Sequence, residues 1–327
     1  KRTLPGSKSI ANRLILLASL SKNRTVIRNF LSSDDTNYMV DALKKLGVEI
    51  QRKENELIVD GVNQTYPVKS CDLFLGNAGT AFRPLTAVLS MMSGEYNLSG
   101  IKRMHERPIK DLVETLKKIG ASIEYTDQSG FPPLKIMPLN KAISHNVSIK
   151  GNVSSQFLSS MLMAIPLLRK PFSIEVEGDL ISKPYVDITL KLLEKFGVHY
   201  QNHNWKQFTL QNLYAYENPT EINVEGDASS ASYFFGAAAI AGKVEVIGLN
   251  KNSIQGDIKF LDVIESMGAI VTYKTNSIIV EKAKKLKGSN IDCKMIPDAA
   301  MTLATMALFC DGVTRLDNIA SWKVKET

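Results

Sequence analysis

One pattern recurs along this 327-residue chain, in which a helix ends on a glycine and a strand follows at once. The four copies read LKKLGVEI, LKKIGASI, LLEKFGVHY and VIESMGAIV. Their glycines, Gly47, Gly120, Gly197 and Gly268, lie 71 to 77 residues apart. A nearly fixed period of this size indicates a chain built from repeated structural units.

A second series of segments precedes these exits, and each opens on small polar residues before an apolar helix. The openings read PGSKSIANRLILLASL, GNAGTAFRPLTAVLSMM, GNVSSQFLSSMLMAIPL, GDASSASYFFGAAAIAG and PDAAMTLATMALFCDG. Five openings against four exits predict that the chain breaks off inside a fifth unit. Because helix starts carry unbonded backbone N–H groups, the openings are where anions are expected to bind.

Each unit is predicted to run helix, strand, helix, strand, strand. In the first unit, apolar residues at helical spacing indicate a helix through about Leu20, and 25–30 form a strand. The segment 32–47 opens with capping residues and ends on glycine, so it is a second helix. Two strands around a polar turn are predicted over 48–61.

Alternating helices and strands of this kind indicate an α/β fold. The helices at 231–241 and 299–309 are more apolar than surface helices usually are, so we expect them to be buried on nearly all sides. This pattern predicts sheets wrapped around a helical core.

Composition narrows the classes of partner. The net charge of +7 favours anionic ligands. A surface that binds nucleic acid would alternate basic and aromatic side chains, and an aromatic content of only 7% argues against one. No apolar run reaches the roughly 18 residues that span a bilayer. Three well-separated cysteines predict reduced thiols in the cytoplasm, and no histidine or cysteine spacing predicts a metal site.

Three segments that are predicted to start second helices carry a basic residue, namely Arg107-Pro108, Lys183-Pro184 and Lys325-Glu326. Proline is favourable at the first helical position. A cation beside free N–H groups makes a site for phosphate or carboxylate. The alternative is an ordinary exposed charge at each helix start.

Two of the apolar-helix openings offer groups for anions. Lys8 begins the first helix, and Ser9 and Arg13 lie four residues apart on one face of it. In the second opening, Asn77 and Gly79 belong to a turn whose glycines let backbone N–H groups approach a ligand closely. Simple helix capping is the alternative for the first of these motifs.

The third opening adds hydroxyl and amide groups. Ser154, Ser155 and Gln156 stand together at a predicted helix start, a combination that suits phosphate and sugar-like hydroxyls. A cap alone requires only one of the two serines.

These motifs resemble those of the 5-enolpyruvylshikimate-3-phosphate (EPSP) synthase family. The matching runs are LPGSKS, LGNAGTAFRPL, RMHERP, GNVSSQFL, ISKPYVDITL, VEGDASSASY, IPDAAMT and WKVKET, in the family's order. The resemblance implies a two-domain α/β enolpyruvyl transferase fold of repeated βαβαββ units. It implies one complete three-repeat domain at 6–223 and a partial one from 1–5 and 224–327.

The resemblance also implies the reaction. The 5-hydroxyl of shikimate 3-phosphate adds to C2 of phosphoenolpyruvate while C3 is protonated, and phosphate then leaves. Both partners are small polyanions, so cations are needed to hold them together. No cofactor, metal, membrane or nucleic acid is implied, and the protein is expected to be a cytoplasmic monomer.

Substrate contacts carry over by motif. Residues similar to shikimate 3-phosphate ligands are Ser9, Arg13, Ser154, Ser155, Gln156, Ser182, Tyr185 and Lys325. Residues similar to phosphoenolpyruvate ligands are Lys8, Gly79, Arg107 and Gln156, and Asn77 joins the substrate-binding set. Ser321 stands where the family often has an asparagine, which leaves that contact in doubt.

Catalytic roles carry over to Asp298, Glu326 and Lys8. Asp298 resembles the base at the 5-hydroxyl, and Glu326 resembles the proton donor to C3. From the residues alone, Asp298 is equally an N-cap, and Glu326 beside Lys325 is equally an exposed ion pair.

Three alternatives stay open at this point. A related UDP-N-acetylglucosamine enolpyruvyl transferase usually has a reactive cysteine where this chain reads GIKRMHERP at 100–108. A polyanion- or nucleic-acid-binding protein on a similar fold would bind RNA with a steep salt dependence. An inactive fragment of a synthase is the third, because the family continues beyond Thr327 with further phosphoenolpyruvate-binding cations and has about one and a half more repeats.

Overall fold

The computed structural model describes residues 1–211, 216–282, 284–320 and 322. Its α-helices, in chain order, are α1 (Lys8–Leu20), α2 (Asp34–Lys45), α3 (Gly79–Leu89), α4 (Lys102–His105), α5 (Lys110–Ile119), α6 (Ser155–Ala164), α7 (Lys183–Lys195), α8 (Ala228–Ala241), α9 (Phe260–Ser266) and α10 (Ala300–Met306). Short 3-10 helices lie at Ile165–Leu168, Gly256–Lys259, Cys293–Met295 and Ala307–Phe309.

The first ten strands are β1 (Arg2–Thr3), β2 (Arg24–Arg28), β3 (Glu49–Lys53), β4 (Glu56–Asp60), β5 (Ser70–Phe74), β6 (Glu95–Ser99), β7 (Ser122–Tyr125), β8 (Leu134–Met137), β9 (Asn146–Lys150) and β10 (Phe172–Glu177). The others are β11 (Tyr200–His203), β12 (Gln207–Leu210), β13 (Glu221–Asn223), β14 (Lys243–Ile247), β15 (Ile270–Tyr273), β16 (Ser277–Glu281), β17 (Leu286–Lys287), β18 (Asn290–Asp292), β19 (Cys310–Asp311) and β20 (Arg315–Asp317).

The described strands form four four-stranded sheets of one design, together with two two-stranded pairs. The strand orders are β13-β2-β4-β3, β5-β6-β8-β7, β9-β10-β12-β11 and β1-β14-β16-β15. In each sheet the first two strands are parallel and the remaining pairings are antiparallel. This is the βαβαββ unit expected from the repeat, so the predicted α/β fold class is confirmed.

Two of these sheets take their first strand from a distant part of the chain. The β2 sheet is completed by β13, where Ile222 faces Ile27 across the parallel pair. The β14 sheet is completed by β1, where Thr3 faces Ile247. Each crossing strand therefore joins a sheet formed mainly by residues about 200 positions away.

The chain divides into two compact units. Unit 1 comprises Lys1–Ser7, Ile181–Tyr185 and the residues from Glu225 onward, and unit 2 comprises Lys8–Leu180 and Val186–Val224. The first residues of α7 thus belong to unit 1 and the rest to unit 2. The predicted domain bounds stay a prediction.

The core of unit 2 consists of helices that are buried on nearly every side. In α1 all residues from Ile10 to Leu20 are buried, and α3 and α6 leave few side chains in contact with solvent. Burial of apolar side chains stabilises a fold by roughly 25 cal/mol per Å². The predicted arrangement, with sheets around buried helices, is confirmed in this unit.

The two apolar helices of unit 1 differ from expectation. In α8 the side chains of Tyr233 and Phe234 are 62% and 38% exposed, and beyond α10 those of Leu308 and Phe309 are 83% and 57% exposed. Burial on all sides is therefore wrong for these segments as described. The reason is that one face of each helix packs into the core around Phe235 and Leu303, and the described residues do not cover the opposite face.

The helix ends follow the sequence signals closely. Ser33 caps α2, and its side chain and that of Thr36 bond reciprocally to each other's backbone N–H groups. The four recurring glycines all have positive φ, from +74° at Gly197 to +117° at Gly120, which is the left-handed conformation that ends a helix.

One predicted helix start is displaced. Arg107 and Pro108 precede α5, which begins at Lys110, so Arg107 lies in the turn that leaves α4. Lys183 is the first residue of α7, as predicted. Residues 325 and 326 lie outside the described part of the chain. Among the described residues, no helix has the length and apolar content to cross a lipid bilayer.

Candidate functional site

Lys8 is held at the start of α1 by a short polar network in unit 2. Its Nζ lies 3.5 Å from Oδ2 of Asp35, at the start of α2, while 48% of the Lys8 side chain stays exposed. The same carboxylate oxygen accepts a 2.8 Å hydrogen bond from Thr80 Oγ1, which itself accepts one from Asn12 Nδ2 at 2.7 Å. The ammonium group is thus oriented and still accessible to an anion.

Arg13 is a buried cation that donates hydrogen bonds to oxygen atoms of neighbouring residues. Only 7% of the residue is exposed, and its Nε donates to Thr189 Oγ1 at 2.7 Å. Nη1 donates to the carbonyl oxygen of Ser9 at 2.8 Å, one turn earlier on α1. Thr189 in turn donates to Ser159 Oγ of α6 at 3.0 Å. Arg13 therefore contacts the backbone of Ser9 one helical turn away, and their shared binding of an anion stays a prediction.

Arg107 is packed directly against the start of α3. Its Nη1 donates to the carbonyl oxygen of Asn77 at 2.8 Å and to the side-chain oxygen of Asn77 at 3.2 Å. A Cβ atom added to Gly79 would lie 2.7 Å from Arg107 Nη2, closer than such contacts allow. The preceding residue, Ala78, supplies no side-chain cap. The start of α3, which has no side-chain cap, and a guanidinium therefore lie together here.

Arg83 belongs to the same group, although the predicted site residues did not include it. Its Nη1 donates to the side-chain oxygen of Gln156, and its guanidinium carbon lies 5.4 Å from the centre of the Phe157 ring. Burial, and then the neighbouring charge of Arg107, lower the Arg83 pKa to about 9. The signal was present in the sequence, since Arg83 stands one helical turn after Gly79 in LGNAGTAFRPL.

The start of α6 separates the roles of its two serines. Ser154 caps the helix, because its Oγ accepts from the backbone N–H of Gln156 at 3.2 Å. Ser155 is buried and is not required for that cap. Gln156 is engaged by Arg83, so the third opening and the second form one polar cluster in unit 2.

In unit 1, Tyr185 and Asp298 form a hydrogen-bonded pair. The tyrosine hydroxyl donates to Oδ2 of Asp298. Burial, followed by the charges of Asp298 and Asp257, raises the Tyr185 pKa well above its usual value. Ser182, three residues earlier, has φ of +51°, an uncommon conformation for serine that often marks functional sites.

Asp298 does not cap α10. The cap position is Ala299, and no side-chain bond closes that helix start. The interpretation of Asp298 as an N-cap is therefore wrong, and its carboxylate instead accepts from Tyr185. By contrast, Asp227 does cap α8, accepting from Ser230 N at 2.7 Å.

Three predicted site residues, Ser321, Lys325 and Glu326, lie outside the described residues. Over the described ranges, histidine, cysteine and carboxylate side chains do not gather in groups of three that suit a metal ion. Cys71, Cys293 and Cys310 are unpaired thiols.

The chain is similar over its length to known transferases. A family model of EPSP synthase (3-phosphoshikimate 1-carboxyvinyltransferase) matches residues 2–327. Proteins named 3-phosphoshikimate 1-carboxyvinyltransferase from Cellvibrio japonicus and Nitrosomonas europaea are 52% and 53% identical over 327 and 330 residues. Each alignment covers 99% of this chain and 76% of the relative.

Solved structures agree. EPSP synthase from Acinetobacter baumannii matches with a TM-score of 0.86 and 25% identity, covering 100% of this chain and 75% of that one. The enolpyruvyl transferase NikO from Streptomyces tendae matches with a TM-score of 0.73 and 12% identity, covering 96% and 73%, which shows a common fold alone. Of the two transferase families considered from sequence, the first is confirmed: the chain belongs to the EPSP synthase (3-phosphoshikimate 1-carboxyvinyltransferase) family.

Proposed function

We propose how the described residues serve the reaction of this family, which transfers the enolpyruvyl group of phosphoenolpyruvate to the 5-hydroxyl of shikimate 3-phosphate and releases phosphate. The protein is thus a transferase of the shikimate pathway to aromatic amino acids. The proposal assigns binding of the anionic groups to the polar cluster of unit 2. It assigns proton transfer at the 5-hydroxyl to the Tyr185–Asp298 pair of unit 1.

Arg107, Gly79 and Lys8 are the proposed phosphoenolpyruvate ligands of unit 2, with Asn77 and Gln156 in support. The arrangement fits a doubly charged group, because Arg107 and the uncapped start of α3 face the same place. The charges of Arg83 and Arg107 act on each other unfavourably, so an anion bound beside them relieves that repulsion. We add Arg83 to the binding set as the residue that orients Gln156.

Shikimate 3-phosphate is proposed to bind through Ser9, Arg13, Ser154, Ser155 and Gln156. The contacts of Arg13 are to hydroxyl and carbonyl oxygens of Thr189 and Ser9. A charge-assisted bond from Arg13 to the substrate adds about 1.5–3 kcal/mol. Ser182 and Lys325 complete the proposed set.

Asp298 is the proposed general base that takes the proton of the 5-hydroxyl. The single observation that carries this assignment is its bond to Tyr185 at a helix start that it does not cap. Tyr185, whose raised pKa keeps its hydroxyl protonated, holds the carboxylate in one orientation and offers its oxygen to a substrate hydroxyl. Glu326 is the proposed proton donor to C3, and Lys8 supports charge development at the phosphate.

The test is phosphate release by the full-length protein. Phosphate should appear only when phosphoenolpyruvate and shikimate 3-phosphate are both present, and calorimetry should show shikimate 3-phosphate binding. Release without shikimate 3-phosphate, or binding of RNA in its place with a steep salt dependence, would contradict the proposal. The same calorimetry on residues 1–327 alone tests whether this chain is an inactive fragment that still binds.

A monomer in the cytoplasm that binds no nucleic acid is part of the same proposal. It is supported by the three unpaired thiols, which suit a reducing compartment, and by the small anionic substrates, which suit the net charge of +7. Light scattering with and without both substrates measures the oligomeric state.

A further inference from the structure

Three consecutive residues of unit 1, Gln255-Gly256-Asp257, connect the segments that carry the proposed base. Gln255 is 5% exposed and lies against the start of α8. Its Oε1 accepts from Ala228 N at 3.0 Å, and its Nε2 donates to the carbonyl oxygen of Gly226 at 2.8 Å. One side chain thereby fixes the backbone on both sides of Asp227.

Gly256 allows the next close approach. A Cβ atom at this position would lie 2.5 Å from Cβ of Pro184 and 2.7 Å from the carbonyl oxygen of Met295. Pro184 directly precedes Tyr185, and Met295 lies three residues before Asp298. The backbone of Gly256 is therefore wedged between the two segments whose side chains form the Tyr185–Asp298 pair.

Asp257 contacts the starts of two helices, α8 and α10. The residue is 6% exposed, one carboxyl oxygen accepts from Ser229 Oγ of α8, and the backbone N–H of Ala299 is close enough to lower its pKa. Its Oδ1 is buried and makes no hydrogen bond of normal geometry within the described residues. Ala299 directly follows Asp298, so the carboxyl group touches the backbone that carries the proposed base.

A buried carboxylate beside other acids destabilises the folded state. Burial, and then the charges of Asp298 and Asp227, raise the Asp257 pKa, whereas the bonds from Ser229 and Ala299 lower it, and the result is about 7. An uncharged residue of the same shape would avoid both the desolvation and the repulsion. The favourable contribution of this side chain is its acceptor oxygen, which holds Ser229 and the backbone of Ala299.

We propose that Asp257 is a positioning residue of the transferase: its carboxyl group fixes the start of α10 against α8, and so holds Asp298 in line with Tyr185. The proposal rests on the proposed role of Asp298 as the base. Because a displacement of about 1 Å can cost on the order of 100-fold in rate, loss of this anchor acts on turnover and leaves ground-state binding nearly intact.

The test compares Asp257→Ala, Asp257→Asn and the control Asp262→Ala, which removes an exposed carboxylate on α9 of the same unit. Asparagine keeps an acceptor oxygen for Ser229 and Ala299, and alanine does not. Phosphate release gives kcat and KM for each variant. Hydrogen exchange of the peptide 296–303, read against a peptide covering β16, gives a measure that does not depend on activity.

We expect Asp257→Ala to lower kcat by about 10- to 100-fold with KM for shikimate 3-phosphate changed less than about threefold. Exchange in 296–303 should rise while that in β16 does not, and Asp257→Asn should restore both measures to near wild type. Uniform loss of protection through unit 1, an Asp257→Asn variant as impaired as Asp257→Ala, or unchanged exchange in 296–303 would overturn the proposal. If Asp257→Ala does not fold, Ser229→Ala serves instead, with a smaller change in the same direction expected.

The two proposals fail separately. If the wild-type full-length protein releases no phosphate, the proposed function is at fault, and exchange in 296–303 still decides whether Asp257 anchors α10. If the wild type turns over normally and the Asp257→Ala variant matches it, the positioning role alone is wrong.

Discussion

The two units share one repeated backbone unit, but the charged residues at their helix starts have opposite signs. In unit 2 the opening helices present cations, with Lys8 and Arg13 on α1 and Arg83 on α3, and Arg107 lies beside them. In unit 1 the corresponding helix starts present acids, with Asp227 before α8 and Asp298 before α10. The backbone unit is the same in both, whereas the charge of the side chains at the helix starts is positive in unit 2 and negative in unit 1.

This difference in charge suits unit 2 to the binding of anions and unit 1 to proton transfer. Cations held in place by neighbouring oxygen atoms, as Arg13 is, form charge-assisted bonds with polyanions. Burial raises the pKa of Asp257, and carboxyl groups with a perturbed pKa are common at sites of proton transfer. Variants in unit 1 should therefore lower kcat, and variants in unit 2 should raise KM.

The largest effect is expected at Asp298. Asp298→Ala removes the proposed base and should lower kcat by about 1,000-fold, because general base catalysis contributes 10²–10⁴. Binding of shikimate 3-phosphate, measured by calorimetry, should change less than about threefold, since charge-assisted contacts in unit 2 remain. If Asp298→Ala keeps a tenth of the wild-type kcat, Asp298 is not the base, and the proposed division of roles between the units is wrong.

Arg107→Ala should act on binding. Loss of its charge-assisted bonds, at about 1.5–3 kcal/mol, raises KM for phosphoenolpyruvate by about 10- to 100-fold. The matched control is Arg103→Ala, which removes an arginine from α4 that is 64% exposed and pairs with Glu106. Equal effects of the two variants on KM would show that general charge, not the placed guanidinium, matters.

Gly79→Ala sharpens the same point without removing a charge. The added methyl group pushes against Arg107 Nη2 and displaces the guanidinium from Asn77. We expect KM for phosphoenolpyruvate to rise about 10-fold, with the melting temperature within about 2 °C of wild type. Gly242→Ala is the control, since nothing lies within 4 Å of an added Cβ there. A Gly79→Ala variant with normal KM would show that Arg107 has room to yield.

The smallest effect concerns stability and pH. Asp257 has a folded-state pKa of about 7 against an ordinary value of 3.8, so between these values folding takes up a proton. Its contribution to stability is greatest at acid pH and is lost as pH rises toward 7. Asp257→Asn does not titrate, so its melting temperature relative to wild type should increase by a few degrees from pH 5 to pH 8. A constant difference would mean that Asp257 titrates normally.

The repeat made most of the fold predictable. The exit glycines determine where second helices end, and Ser33 determines where α2 begins, because both depend on local backbone bonds. The start of α5 was not predicted, because Ile109, at its cap, carries no polar side chain to signal it. The exposure of Leu308 was not predicted either, since burial depends on which elements cover a helix.

The site was predictable only in part. Helical spacing alone brings Ser9 to Arg13, and the glycine pattern places Gly79 at a close approach. No local rule joins Arg83 to Gln156 across 73 positions, or Tyr185 to Asp298 across 113. Asp257 carried no signal at all, because its role arises from three segments that meet only in the folded unit.

The exchanged first strands set an order for synthesis. The β2 sheet, formed near the N-terminus, cannot be completed until β13 at Glu221–Asn223 has left the ribosome. Conversely, β1 is made before β14 at Lys243–Ile247 and waits for it. Contacts of such sequence separation fold slowly, and unpaired sheet edges invite aggregation. The β2 sheet therefore keeps an open edge, and β1 stays unpaired, until these later strands are made, a period in which chaperones are of most use.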